Sequence, residues 1–185
     1  MIRVFYLIFI NLFLYSELIL EITESANQPV KIAVLQKNDN SFKGQQIVSI
    51  ISNDLKRTGE FEVLSSDQLL SIPLNESEVI QRDWLLLDVD SIIFIETNED
   101  DNNLDINYSI FNISYNETED KRRVLGLPDG IRQSSHYVSD GIYEFFFGIE
   151  GVSSTKLMYV MKNSDIHRLM ISDADGFNEQ ILLKS

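Results

Sequence analysis

The sequence predicts an α+β fold: an α/β-type N-terminal domain, with helices packed on a mixed sheet, followed by a short all-β unit. Three observations predict it. Apolar, β-branched runs alternate with segments of helical period between Lys31 and Phe147. Gly59 and Gly148 stand where two helical patterns stop, as C-terminal cap glycines do. From Thr155 the helical period is gone, and three short strand-like runs follow.

The elements follow in order. "KIAVL" (Lys31–Leu35) has the uninterrupted apolar character of a central strand. A polar loop, Gln36–Ser41, leads to Gly44–Thr58, where Ile47, Ile50, Ile51 and Leu55 recur at helical spacing. Lys56 and Arg57 fall in its last turn, where the helix dipole favours cations. "FEVL" (Phe61–Leu64) is a strand, and Glu76–Leu87 a second helix with Val79, Ile80, Trp84 and Leu87 on one side. "SIIFIET" (Ser91–Thr97) is apolar on both faces and is placed centrally; "LDINYSIFNI" (Leu104–Ile113) alternates like a half-exposed strand. The polar "NEDDNN" joins the two, and Arg122–Leu125 closes the meander. A third helix covers Gly130–Phe147, with Asp129 as its N-cap and Ile131, Val138, Ile142, Phe145 and Phe146 as its apolar stripe. "KLMYVMKN", "HRLMISDADGF" and "NEQILLK" are the three strands of the C-terminal unit.

The N-terminus carries a different signal. One cation, Arg3, precedes an apolar run from Val4 to Leu14, then Tyr15 and Ser16. That matches a secretory leader and is shorter than the roughly 20 apolar residues that span a bilayer. The expected leader is 1–16, cleaved after Ser16; a buried core helix or an uncleaved anchor running on through Leu20 is the alternative. "LILEIT" (Leu18–Thr23) then reads as an extended segment, broken by the polar stretch Ser25–Pro29.

Composition bounds the chemistry. A formal net charge of −14 repels nucleic-acid phosphates and anionic lipid, so no nucleic-acid partner is expected. The absence of cysteine removes disulfides, thiolate nucleophiles and cysteine-based zinc sites. "SDADG" (Ser172–Gly176) invites a calcium reading. With Gly176 at loop position six, however, position one is Ile171 and position twelve is Leu182, so two required ligands are missing. The stretch reads as a hairpin turn between strands Leu169–Ser172 and Asn178–Leu183, since Asp and Gly suit a turn. The acidic set Glu96, Glu99, Asp100, Asp101 and Asp105 lies in an Asn-rich loop and reads as solvated rather than as an acid/base pair. His136 and His167 have no second ligand at metal spacing, and His136 reads as a packing or capping residue. Neither a nucleophile elbow, nor a phosphate loop, nor a dinucleotide fingerprint is present. No enzyme, cofactor or metal is expected.

Several stretches in register resemble a known family. "IRQSSHYVSDGIYEFFFGIEGVSSTKLMYV" (Ile131–Val160) resembles the linker helix of the TolB family, periplasmic components of the Tol–Pal system, through Arg132, His136, Ser139, Asp140, Tyr143, Gly148, Gly151, Lys156, Tyr159 and Val160. "LMISDADGFNEQ" is similar to the family's first propeller hairpin, "IISNDLKRTGEFEVL" to its first helix and strand, and "DWLLLDVDSIIFIE" to its Trp-containing helix and next strand. The resemblance implies a leader (1–16), an N-terminal α/β domain (17–152) and a partial first propeller blade (153–185). It implies a non-enzymatic periplasmic adaptor, serving outer-membrane integrity, envelope constriction at division and protein import by protein–protein binding. The segment implied to engage a TolA-like inner-membrane protein is Glu17, Leu18, Ile19, Leu20, Glu21, Ile22, Thr23, Glu24 and Ser25. A Pal-like lipoprotein is implied only if a complete propeller is supplied. The alternative expectation is a truncated or split-gene product of a larger propeller protein.

Overall fold

The computed structural model describes residues 28–37, 41–164 and 166–184. The expected leader and the expected partner segment Glu17–Ser25 lie outside the described residues.

A five-stranded mixed sheet, in the order β2-β1-β3-β4-β5, forms the larger unit. Its strands are β1 (Val30–Gln36), β2 (Phe61–Val63), β3 (Ser91–Glu99), β4 (Leu104–Asn112) and β5 (Glu117–Gly126). β1 pairs in parallel with β2 and β3, and β3, β4 and β5 form an antiparallel meander. "SIIFIET" therefore lies in the middle of the sheet, as its two apolar faces require. Helices α1 (Phe42–Thr58) and α3 (Ile131–Phe147) pack side by side on one face. The core beneath them joins Ile47, Ile51 and Leu55 of α1 and Val138 and Ile142 of α3 to Ile32, Val34, Ile93, Ile95, Ile106 and Ile110 of the sheet. On the opposite face Ala33, Leu35, Ile92, Phe94 and Phe111 are covered by the segment carrying Leu64 and Trp84. Each large aliphatic side chain buried in this way contributes about 1.5–3 kcal/mol.

Four expectations are corrected. α1 begins two residues earlier than its first glycine, because the Ser41 side chain accepts the Gly44 N–H and caps it there. The segment Glu76–Leu87 is not one helix: a 3-10 turn at Glu76–Glu78, capped by Asn75, is followed by extended Val79 and then by α2 (Gln81–Leu86). Two successive β-branched residues, Val79 and Ile80, resist the helix at that point, and Ile80 faces out while Trp84 is buried. The last strand of the meander is ten residues rather than four, because its charged half, "ETEDKR", also pairs with β4, across a bulge at Glu119. The N-cap of α3 is Gly130, without a side-chain cap, rather than Asp129.

The C-terminal unit is a three-stranded antiparallel sheet, β6 (Lys156–Asn163), β7 (Ile166–Asp173) and β8 (Gln180–Lys184), in sequence order. Among the described residues no helix is long and apolar enough to cross a membrane.

Candidate functional site

The two sheets meet at one face of α3. Arg132, His136, Ser139 and Asp140 sit at i, i+4, i+7 and i+8, so they project on one side of the helix. His136, Ser139 and Asp140 are buried, although none belongs to the apolar stripe. The helix thus buries two faces, an apolar one on the five-stranded sheet and a polar one on the seam.

Each polar residue has a specific partner. Asp54, fully buried on α1, accepts from His136 Nδ1 at 2.6 Å and from Ser139 Oγ at 2.9 Å. Arg57 closes the same carboxylate from the surface side at 3.1 Å. Asp140 takes the chain as it leaves the helix: its two oxygens accept from Ser153 N at 2.6 Å and Ser154 N at 3.0 Å. Gln133 Nε2 donates to the Ser154 carbonyl, and Ala174 N to the Thr155 carbonyl, so the linker is tied to α3 on one side and to the β7 turn on the other.

The turn itself is the predicted "SDADG" hairpin. Gly176 takes φ +82°, and Asp175 Oδ1 accepts from Phe177 N two residues on, as an Asp-led turn does. Its carboxylates point back at α3. Arg132 pairs with Asp175 through Nη2, lies 3.7 Å from Asp173 through Nε, and stacks its guanidinium 4.0 Å above the Phe177 ring. Asp173 also accepts from Lys156 Nζ and from Asn178 Nδ2. Burial alone raises the Asp173 carboxyl, but the Lys156 and Asn178 hydrogen bonds and the Lys156 charge outweigh it and hold it below its ordinary range. Asp175 follows the same pattern: burial raises it, and the Phe177 N–H and Arg132 win.

The other candidates resolve simply. Asp100 caps its own loop, accepting from Asn102 N and Asn103 N, and Asp105 forms a two-pronged pair with Arg123 at 2.8 Å, so the acidic loop is a solvated turn and an edge-strand ion pair. His167 is exposed on β7. The seam is the concentration of buried polar groups that reading the sequence by elements missed. The polar i, i+4, i+7, i+8 spacing on α3 was the signal for it.

Comparison with known proteins covers the same ground. The family described as the TolB amino-terminal domain matches residues 18–118. This is more than half of the chain.

The chain belongs to the TolB amino-terminal domain family.

Its similarity to curated TolB proteins runs further than that domain. Tol-Pal system protein TolB of Marinomonas sp. (strain MWYL1) is 30% identical over 178 residues, 92% of this chain and 41% of the relative. The Tol-Pal system protein TolB of Pseudomonas syringae pv. syringae (strain B728a) is 30% identical over 162 residues, 85% of this chain and 37% of that protein. The crystal structure of TolB from Acinetobacter baumannii superposes with a TM-score of 0.72 at 24% identity, over 86% of this chain and 39% of that one. The chain therefore spans about two fifths of the length of the TolB proteins it matches. Coverage of 92% takes in α3, so the similarity to TolB includes the helix that builds the seam.

Proposed function

We propose that this TolB-family chain is a non-enzymatic periplasmic adaptor of the Tol–Pal type, supporting outer-membrane integrity, envelope constriction at division and protein import by binding other envelope proteins. Its organisation is an export leader (1–16), an N-terminal domain (17–152) and a partial blade (153–185). The observation that carries the reading is the similarity, over nine tenths of the chain, to proteins named for the Tol–Pal system. The buried polar groups at the seam support it: each described carboxylate there is engaged by a neighbouring donor, as in a structural joint.

Partner binding falls to Glu17–Ser25, which lies outside the described residues. Leu18, Leu20 and Ile22 alternate with polar positions and Ile19, a pattern suited to adding an edge strand to a TolA-like domain through backbone hydrogen bonds. Deleting Glu17–Ser25 is expected to abolish pull-down of a purified TolA-like periplasmic domain while leaving the circular dichroism spectrum unchanged. Retained capture by the deletion variant removes this assignment.

A second reading is favoured by one observation. Leu157, Met158, Val160, Ile181 and Leu183 of β6 and β8 are large apolar residues left exposed. Such a surface suits packing against further sheets of the same kind, belonging to a larger propeller protein of which this chain is a truncated or split part. In-frame blade repeats in the DNA beyond codon 185 support that reading, and an unrelated gene there counts against it. A Pal-like partner is expected only with such sheets in place.

A further inference from the structure

The turn that fails as a calcium loop on local spacing meets a third donor only in the folded chain. One ring nitrogen of His136 and a carboxylate oxygen from each of Asp173 and Asp175 lie within 4.8 Å of one another. His136 is 1% exposed, its Nδ1 is taken by Asp54, and its Nε2 has no hydrogen-bond partner. With Nδ1 held by Asp54, Nε2 is the ring nitrogen left to take a proton or a metal ion. The Asp54 contact also orients the ring, which is the support a metal-binding histidine receives. A buried imidazole nitrogen without a partner beside two carboxylates is an unsatisfied polar group, which a bound cation would satisfy. Arg132 Nε, in the same seam, likewise has no hydrogen-bond partner, so the polar network as it stands is incomplete.

We infer that His136, Asp173 and Asp175 form a site for a divalent transition-metal ion of the zinc class, joining α3 to the β7–β8 turn. One imidazole nitrogen and two carboxylate oxygens are a borderline-soft donor set, with the charge to neutralise a divalent ion. Three protein ligands leave a tetrahedral ion one position for water. Calcium and magnesium, which favour larger all-oxygen shells or retained water, suit it less well. Present occupants of the carboxylates compete. Lys156 donates to Asp173 Oδ1, Asn178 to Asp173 Oδ2, Phe177 N to Asp175 Oδ1 and Arg132 to Asp175 Oδ2. Metal entry exchanges one divalent ion for the Arg132 and Lys156 contacts. Both side chains are long and partly exposed, and can swing to solvent. The bound ion pins the small sheet to the larger unit. This inference does not depend on the adaptor reading, because its test uses no protein partner.

The test is a calorimetric titration of Zn²⁺ into the chelator-treated full chain, with Mg²⁺ as the hard-cation control, alongside an NMR titration of the histidine ring signals. His136 and His167 are the chain's two histidines, so the exposed His167 serves as an internal reference. Expected are one equivalent of bound Zn²⁺, little response to Mg²⁺, and ring-nitrogen shifts at His136 with His167 unmoved. Asp175→Asn, at the rim of the site, is expected to weaken binding at least tenfold, and His136→Gln to do the same. Arg132→Ala is expected to tighten it by removing a competing cation. Absence of zinc heat, shifts at His167 in place of His136, or affinity unchanged in Asp175→Asn overturns the inference. The wild-type NMR titration decides the matter even where His136→Gln does not fold.

Discussion

Asp140 holds the linker because its carboxylate reaches two consecutive backbone N–H groups, and it can do so only because residue 151 has no side chain. A Cβ built on Gly151 meets Asp140 Oδ1 at 2.5 Å and the Asp140 Cα at 2.6 Å. The second contact is backbone and cannot rotate away. Gly151→Ala is therefore expected to displace Ser153 and Ser154 from their acceptor and to destabilise the chain by about 1–3 kcal/mol, the usual cost of overpacking. Urea unfolding followed by circular dichroism checks it; an unchanged midpoint contradicts the assignment. The neighbouring Asp54 shows the same economy: one buried carboxylate accepts from His136 and Ser139 and pairs with Arg57, so groups from two helices share one anion.

At the scale of elements, α3 is held by an aromatic contact of which its predicted apolar stripe held only Phe146. Phe61 of β2 is buried, and its ring meets Tyr143, Phe146 and Phe147 edge-on at 6.2, 5.4 and 5.4 Å. Phe61→Ala removes that payload and leaves a cavity, with an expected loss of about 3–5 kcal/mol by chemical denaturation and a selective loss of protection in the last turns of α3 by hydrogen exchange. The periods of α1, β3 and β4 were readable because each is a long apolar pattern with one answer. β5 was half readable. Its outer half is charged, as an exposed edge strand often is, and Arg122 and Arg123 are spent on Asp120, Glu144 and Asp105 rather than on the core. The 76–87 segment misled because apolar residues at helical spacing do not register that two β-branched residues in succession favour an extended link.

For the whole molecule, the junction of the two sheets is electrostatic, and its response to acid follows from the lowered carboxyls of Asp173 and Asp175. A carboxylate whose folded value lies below its unfolded one binds fewer protons when folded. Its stabilisation is full above the ordinary value of 3.8 and is lost as pH falls through the lower folded value. Urea midpoints measured between pH 6 and pH 2 are expected to fall most steeply below about pH 4. Asp173→Asn is expected to flatten that fall while lowering the midpoint at pH 6. A slope as steep in the variant as in the parent contradicts the role given to this carboxylate.

The sequence by itself determined the order of elements, the central place of Ser91–Thr97, the glycine stops of α1 and α3 and the hairpin at "DADG". All of these are set by periods and turn chemistry within a dozen residues of one another, which is why they can be read along the chain. Only the tertiary structure decided what the polar face of α3 touches. Asp54 and His136 are 82 residues apart, and Arg132 and Asp175 43 apart. Neither pairing has a spacing that could announce it. Asp54 and His136 meet because the apolar faces of α1 and α3 are buried side by side on one sheet, and Arg132 and Asp175 meet because the linker is tied to Asp140 of α3 and to Ala174 of the turn.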